Sequence, residues 1–454
     1  MAKSISISFF KNLINKGHSR TVQAKKNILA LLFYKGLTIG MSLLIVPLTV
    51  NYLNPSNYGI WITLTSVIGW IGIFDIGFGN GLRNKFTESV ARGKNKLAKI
   101  YVSTTYAILA IVIFLGFLLF LCLNPLLNWP KILNAPFSMA GELSRVVIVV
   151  FSFFCLQFVL QLITTVMTAK QEPGKASLFN FIGSAVSLLV VFILTKTSHG
   201  NLFYLASTLS VIPVFVLLGT TFWFYKFEYK AYAPSINFVK FSYARNLMGV
   251  GVKFFMVQIG ALILFQTDNI VISQLFGPQE VTKFNIALKL FSVITMIFNI
   301  IVTPLWSAFT DAYATKDFKW INDTFKKMYG VFFLIVIITF SILGISPFLF
   351  NLWLGSSIEI PFAISLGFSF YIIAYSWQTI HVFFLNGIGK VGLQLYLVLI
   401  SSVINIPLSI YLGKFIGLTG VIVSNTLLFT IMGIIFFVQT KKILNHSATG
   451  IWDK

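Results

Sequence analysis

Acidic side chains are scarce in this sequence: 12 Asp and Glu stand among 454 residues, against 34 Lys and Arg, with only 4 His. Hydrolysis or group transfer needs paired carboxylates, a nucleophile beside a base, or a cluster of metal ligands, and no stretch of the chain assembles one. An enzyme is therefore not expected, nor a metal or cofactor. Cysteine is nearly missing as well. Cys122 and Cys155 both fall in apolar runs, which removes a disulfide framework and a Cys-based metal site and leaves packing as their role. Long polar loops are also absent. The longest connections are about Arg83–Lys99, Leu126–Leu143, Lys226–Leu247 and Asp311–Lys327, too short for a soluble domain. A glycosyltransferase or polymerase has nowhere to place its catalytic centre.

What the chain has in abundance is apolar surface. Hydrophobic residues make up 57% and charged residues 10%, and the mean hydropathy is +0.87. A membrane-spanning helix needs about 20 largely apolar residues. Twelve stretches qualify: 27–52, 58–82, 100–125, 144–168, 177–197, 202–225, 248–276, 281–310, 328–352, 358–387, 391–413 and 418–440. The expected fold is an all-α integral membrane protein of about twelve transmembrane helices. The link 226–247 divides them into two six-helix bundles, 27–225 and 248–440, between an N-terminal arm, 1–26, and a tail, 441–454.

The net charge of +22 is explained by where the cations lie. Lys3, Lys11, Lys16, Arg20, Lys25 and Lys26 occupy the arm, and Arg83–Lys99 is equally basic. On the alternate side of the spans stand only Lys131, Arg145, Lys196, Lys283 and Lys414. Positive loops stay inside, so both termini are expected in the cytoplasm; the resemblance described below implies that the membrane is a bacterial inner membrane. The charge then concerns topology and anionic headgroups, not nucleic acid. The arm is too polar for a cleaved signal peptide. Its "FFKNLINK" portion reads equally as an interfacial amphipathic helix or a disordered tail.

A weak internal echo crosses the two halves. "YLNPSNYGIW" joins spans one and two, and "LFGPQEVTKFNIA" joins spans seven and eight, each with a proline ahead of a polar turn. Internal duplication is a common plan for transporters.

Charges inside apolar runs tend to face a protein interior or water and mark a pathway. At about 100° per residue, Lys35 shares a face with Thr38, Ser42 and Thr49, and Lys289 shares one with Asn285, Ser292, Asn299 and Thr303. Span seven gathers Gln258, Gln266, Asn269 and Ser273, with Asp268 at the margin. Span ten aligns Tyr371, Gln378 and His381. These stripes describe helices around a polar interior. Simpler readings stand beside them: Lys35 snorkelling to the interface, Lys253 as an interfacial anchor, and His381 as a hydrogen-bonded core histidine.

Asp75 lies in "GWIGIFDIGFGNGLRNKF", among Gly69, Gly72, Gly77, Gly79 and Gly81, which permit close helix approach or local unwinding. It either pairs with a lysine of a neighbouring span or binds a proton or Na⁺. The spacing of "GFGNG" is not that of a dinucleotide fingerprint.

The run "YLNPSNYGIWITLTSVIGWIGIFDIGFGNGLRNKFTESVARGKNKLAK", Tyr52–Lys99, resembles the start of the polysaccharide transporter family, the Wzx-type O-antigen and repeat-unit flippases. Their superfamily also holds the MATE multidrug exporters and the lipid II flippases. "QTDNIVISQLFGP", Gln266–Pro278, fits as well. The resemblance implies a MATE-like V-shaped pair of bundles alternating in access. The cargo it implies is an undecaprenyl-pyrophosphate-linked oligosaccharide moved from the cytoplasmic to the periplasmic leaflet, with a polysaccharide polymerase complex as a candidate partner. On that reading Lys35, Lys289 and Arg83 are the candidate pyrophosphate-binding residues. Asp75 and Asp268 are candidate ion-coupling or ion-pair residues, with H⁺ or Na⁺ as the coupling ion. Ser42, Asn80, Gln258, Gln266, Asn269, Asn285, Asn299, Gln378 and His381 line a polar cavity. The alternative is a MATE-like cation-coupled exporter of organic cations. It needs acids in the cavity, and the lysines weigh against it.

Overall fold

The computed structural model describes residues 19–453 apart from 76, 249–250 and 356–357. Backbone polar groups cannot reach water in a bilayer, so each apolar run must satisfy its own amides by coiling into a helix. Among the described residues, eleven helices are long and apolar enough to cross a membrane, and no strand is found.

The exception among the expected spans is 58–82. It is not one rod but α2 (Pro55–Gly69), a 3₁₀ segment (Trp70–Asp75) and α3 (Phe78–Ala91). The glycines explain the break. Gly77 takes φ 79°, a left-handed backbone that disfavours other residues, and it starts α3. The remaining helices are α1 (Ser19–Leu53), α4 (Asn95–Leu123), α5 (Trp129–Leu133), α6 (Ala140–Leu160), α7 (Leu162–Ala169), α8 (Pro173–Thr197), α9 (Leu202–Lys226), α10 (Ala244–Met248), α11 (Gly251–Phe276), α12 (Pro278–Val302), α13 (Leu305–Ala314), α14 (Phe318–Leu354), α15 (Phe362–Gly387), α16 (Gly392–Ile416) and α17 (Leu418–Leu444).

The chain forms two compact units. The first comprises Met1–Ile45, Phe74–Leu126 and Arg145–Val252; the second comprises Val46–Ile73, Leu127–Ser144 and Lys253–Lys454. Sequence order and packing therefore differ: α2 and α5, early in the chain, belong with α11–α17.

In the first unit α3, α4, α7, α8 and α9 share a core that includes Phe86, Val102, Ile163, Phe224 and Tyr229. The link 226–247 is not a free tether. Its Ser235 amide donates to Ser103 Oγ (3.1 Å), its Lys240 amide donates to Thr104 Oγ1 (3.0 Å), and Lys99 lies over the Phe238 ring. Gly81 is required where this strap returns, because a Cβ there would strike the Leu247 carbonyl. Burial and the Glu172 carboxylate, which accepts the Tyr229 hydroxyl, together push the Tyr229 pKa up. Lys85 on α3 and Arg92 just past its end pair with Glu88 and hold its carboxyl below the usual range.

In the second unit α15 packs against α12, α13, α14 and α17, α16 packs along α17, and α2 packs along α12. The tail is tied down through Asp453, which pairs with Lys390 at 2.9 Å, and Lys442, which lies over the Trp452 ring.

Candidate functional site

A run of buried polar side chains in the second unit forms a seam between α11, α16 and α17. Asp268 on α11 is 6% exposed. Its Oδ2 accepts from Asn425 Nδ2 on α17 at 2.7 Å, Asn425 Oδ1 accepts from Asn405 Nδ2 on α16 at 2.6 Å, and Asn405 Oδ1 accepts from Ser409 Oγ at 3.3 Å. Asp268 Oδ1 is buried and has no hydrogen-bond partner among the described residues. A carboxylate oxygen out of water and without a donor is costly, and a proton or a cation removes that cost. The seam is built to hold one acid and leave one of its oxygens unassigned.

One residue along, Asn269 faces elsewhere. Its Nδ2 donates to Ser66 Oγ on α2 (2.8 Å), and its Oδ1 accepts from Asn285 Nδ2 on α12 (2.6 Å). Lys289 follows Asn285 by one helical turn and is half-buried. It is a cation one turn along α12 from Asn285, with no acidic partner among the described residues.

The other residues singled out from the sequence are spread more widely. Gln266 is half-buried, and its amide group lies where a Cβ added to Gly69 would meet it; Gln258 is exposed. Asn299 Nδ2 donates back to Thr295 O at 2.8 Å. Gln378 has a buried Oε1 without a partner among the described residues. His381 is fully buried, with Nδ1 3.3 Å from Thr440 Oγ1 and the rings of Phe325, Tyr329, Trp377 and Phe437 around it. In the first unit Lys35, Asn80 and Arg83 are exposed, and Ser42 Oγ donates to Ile39 O of its own helix. The side chains of Asp75 and Lys253, and the arm segment "FFKNLINK", lie outside the described residues.

The structure thus brings together Asp268 with Asn425, and Asn269 with Asn285. It also adds Asn405, Asn425 and Ser409, which the sequence reading passed over. The only signal available was asparagine within an apolar run, which also marks plain helix–helix glue.

A family model described as "Polysaccharide biosynthesis protein" matches residues 24–312. A Yersinia pseudotuberculosis protein named for a proposed role in O-antigen export is 24% identical over 353 residues, 76% of this chain and 79% of that protein. A Salmonella typhimurium protein named for a proposed O-antigen transport role is 22% identical over 297 residues, 64% of this chain and 65% of that protein. The fold matches a multidrug resistance MATE family transporter of the MOP superfamily in an inward-facing conformation, with TM-score 0.76 at 14% identity over 90% of this chain and 95% of that one. An outward-facing conformation of such a transporter gives 0.64 at 15% identity, over 94% and 97%.

Proposed function

Since this chain belongs to the polysaccharide biosynthesis protein family, we propose that it is a flippase carrying a lipid-pyrophosphate-linked oligosaccharide repeat unit, of the O-antigen kind, from the cytoplasmic to the periplasmic leaflet of the inner membrane. Both termini stand in the cytoplasm on this reading, and the cargo's carrier lipid is undecaprenol. The names of the relatives at 24% and 22% identity support the substrate class. The six-plus-six division at 226–247 and alternating access belong to the same proposal.

The observation that carries the proposal beyond the family is Lys289. A lysine in an apolar helix with no acidic partner among the described residues has a cost that an incoming anion offsets. A pyrophosphate brings about two negative charges, and moving each outward through an inside-negative potential releases about 2.3 kcal/mol per 100 mV. The field supplies the driving force, so the protein has chiefly to remove the desolvation barrier. Lys289 and Lys35 receive the phosphates, Arg83 draws them to the cytoplasmic mouth, and the prenyl chain stays in lipid.

Asp268 is given the second role, exchange of H⁺ or Na⁺ as access alternates. Asn425 steadies one of its oxygens and leaves the other for the ion. Asp75 keeps the same candidate role in the first unit.

The test is a liposome assay with a fluorescent lipid-pyrophosphate-linked oligosaccharide and a membrane-impermeant quencher. Protein-dependent loss of the protected label is expected. No loss, from folded protein with a matching glycan, overturns the reading and gives the weight to export of organic cations.

A further inference from the structure

Between Glu228 and Asp268 the chain holds no Asp or Glu, while Lys230, Lys240 and Arg245 all stand in the strap 229–247. Three 3₁₀ turns build the strap: Lys230–Tyr232, Ile236–Phe238 and Phe241–Tyr243. Its inward side is settled. Besides the bonds to Ser103 and Thr104, the Tyr232 hydroxyl donates to Asn95 Oδ1 (3.1 Å), and the Tyr232 and Tyr243 rings meet Phe86 and Tyr101 edge-on, with centroids 5.0 and 5.5 Å apart. Its outward side is left apolar and basic. Ile236 is 90% exposed and Phe241 57%, and Lys230, Lys240 and Arg245 are all exposed.

The strap lies at the edge of the apolar layer. Its anchors on α4, Ser103 and Thr104, stand about 12 Å along that helix from Asn95 at 1.5 Å per residue, and the apolar run of the helix starts at Ile100. The strap therefore crosses α4 just inside that run. At the strap's other end, α9 closes with Phe222 and Trp223 and is followed by Phe227, each more than half exposed, with Lys226 over the Phe222 and Phe227 rings (5.3 and 5.5 Å). Aromatic rings beside a lysine at the end of a span mark the headgroup level. In bulk water an exposed Ile and Phe are unfavourable, whereas at this level they face acyl chains. Glu228, the acid next to the strap, does not offset its cations, since it pairs with Lys175.

We propose that the strap 229–247 is a docking surface for anionic phospholipid, with Ile236 and Phe241 set into the acyl edge of the leaflet and Lys230, Lys240 and Arg245 on headgroup phosphates. On the topology proposed above this is the cytoplasmic leaflet; the surface itself does not depend on the cargo. The apolar pair fixes the depth, and the cations select the lipid. A neutral leaflet supplies acyl chains to the first but no net charge to the second, whereas an anionic one draws cations held within a Debye length of it. Because the backbone of the strap is already bound to α4, docking orders little new chain and its entropic cost is low.

The test uses the whole chain without any glycan, so its failure and that of the flipping assay are separate results. In a background with Cys122→Ser and Cys155→Ser, the reporter Ile236→Cys is exposed to a neutral, water-soluble maleimide; Phe241 and the three cations remain to dock. The nanodiscs are of phosphatidylcholine alone, or of phosphatidylcholine and phosphatidylglycerol in equal parts. Phosphatidylglycerol is expected to slow labelling about tenfold. Lys230→Gln, Lys240→Gln and Arg245→Gln together break no ion pair among the described residues and should restore the neutral-lipid rate. A control reporter, Ala91→Cys, exposed at the end of α3, should label equally in both lipids. Equal rates for Ile236→Cys in the two lipids would overturn the proposal and leave the strap to a protein partner. Slowing that survives the triple substitution would also overturn it, since the lipid would then be held without charge. So would matching slowing at Ala91→Cys, a general effect of a charged bilayer on thiols.

Discussion

Two ionisable groups in the second unit, Asp268 and Lys289, sit on successive helices yet have opposite surroundings. Asp268 is almost fully buried and is reached by an ordered chain of amides, Asn425, Asn405 and then the Ser409 hydroxyl. Lys289 is half-buried, and no described acid answers it. The acid has a built environment with one oxygen left over, as suits a small ion that arrives, binds and leaves. The base has no described acid beside it, as suits a bulky anion that brings its own oxygens. If the two roles are as assigned, substitutions at the two positions separate cargo transport from its coupling.

The largest effect is expected at the base. Lys289→Met keeps the aliphatic stem and removes the charge, and combined with Lys35→Met it should slow flipping by about 10- to 100-fold, the worth of a charge-assisted contact to phosphate. Folding should be preserved, since Lys289 makes no ion pair with a described acid. Initial rates in the quencher assay check this, and unchanged rates in both single and double variants would separate the lysines from the cargo.

At the acid the effect should fall on coupling. Asp268→Asn retains shape and the contact with Asn425 but cannot exchange a proton or bind a cation by charge. Transport should lose its response to imposed pH or Na⁺ gradients while a gradient-independent rate remains. A wild-type rate that already ignores both gradients would remove the exchange role. Asn425→Ala strips the donor from Asp268 and the acceptor from Asn405, and should lower stability by about 1–3 kcal/mol, the usual cost of leaving buried polar groups unpaired. The cost should shrink in an Asp268→Asn background, where no charge is left stranded, and a double-mutant cycle on unfolding midpoints measures that coupling.

The contrast shows what the sequence could and could not carry. Length and hydropathy disclosed the helices because in lipid each apolar run must coil. Asp268 and Lys289 stood out because charge in an apolar run is costly and so carries information. Asn425 did not. It lies between Ser424 and Thr426, in a helix whose other polar residues define no single face, and its meaning comes from Asp268, 157 positions away. The broken span at 58–82 was half visible: its glycines permit unwinding, but whether a glycine-rich run unwinds depends on what it packs against. Likewise the proline echo could be seen along the chain, while the hydrogen bond from Thr282 Oγ1 to Pro55 O that joins the two turns could not. Periodicity tells which face of a helix is polar, and it is silent on which helix receives that face.

His381 supplies the smallest expected effect and the sharpest check on the other two assignments. It too is an ionisable group in the same unit, fully buried, but its neighbours are four aromatic rings and one hydroxyl, with the Phe325 ring stacked at 5.7 Å and the Trp377 ring edge-on at 5.1 Å. Phenylalanine has nearly the same shape and joins such a box without loss of ring contacts. His381→Phe gives up only the contact with Thr440 Oγ1, so stability should change by about 1 kcal/mol or less. Flipping should keep its rate and its pH profile. A pH profile that flattened in this variant would make His381 a proton carrier and would take that role from Asp268; an unchanged profile, alongside a flattened one in Asp268→Asn, would leave the acid as the titrating group in this unit.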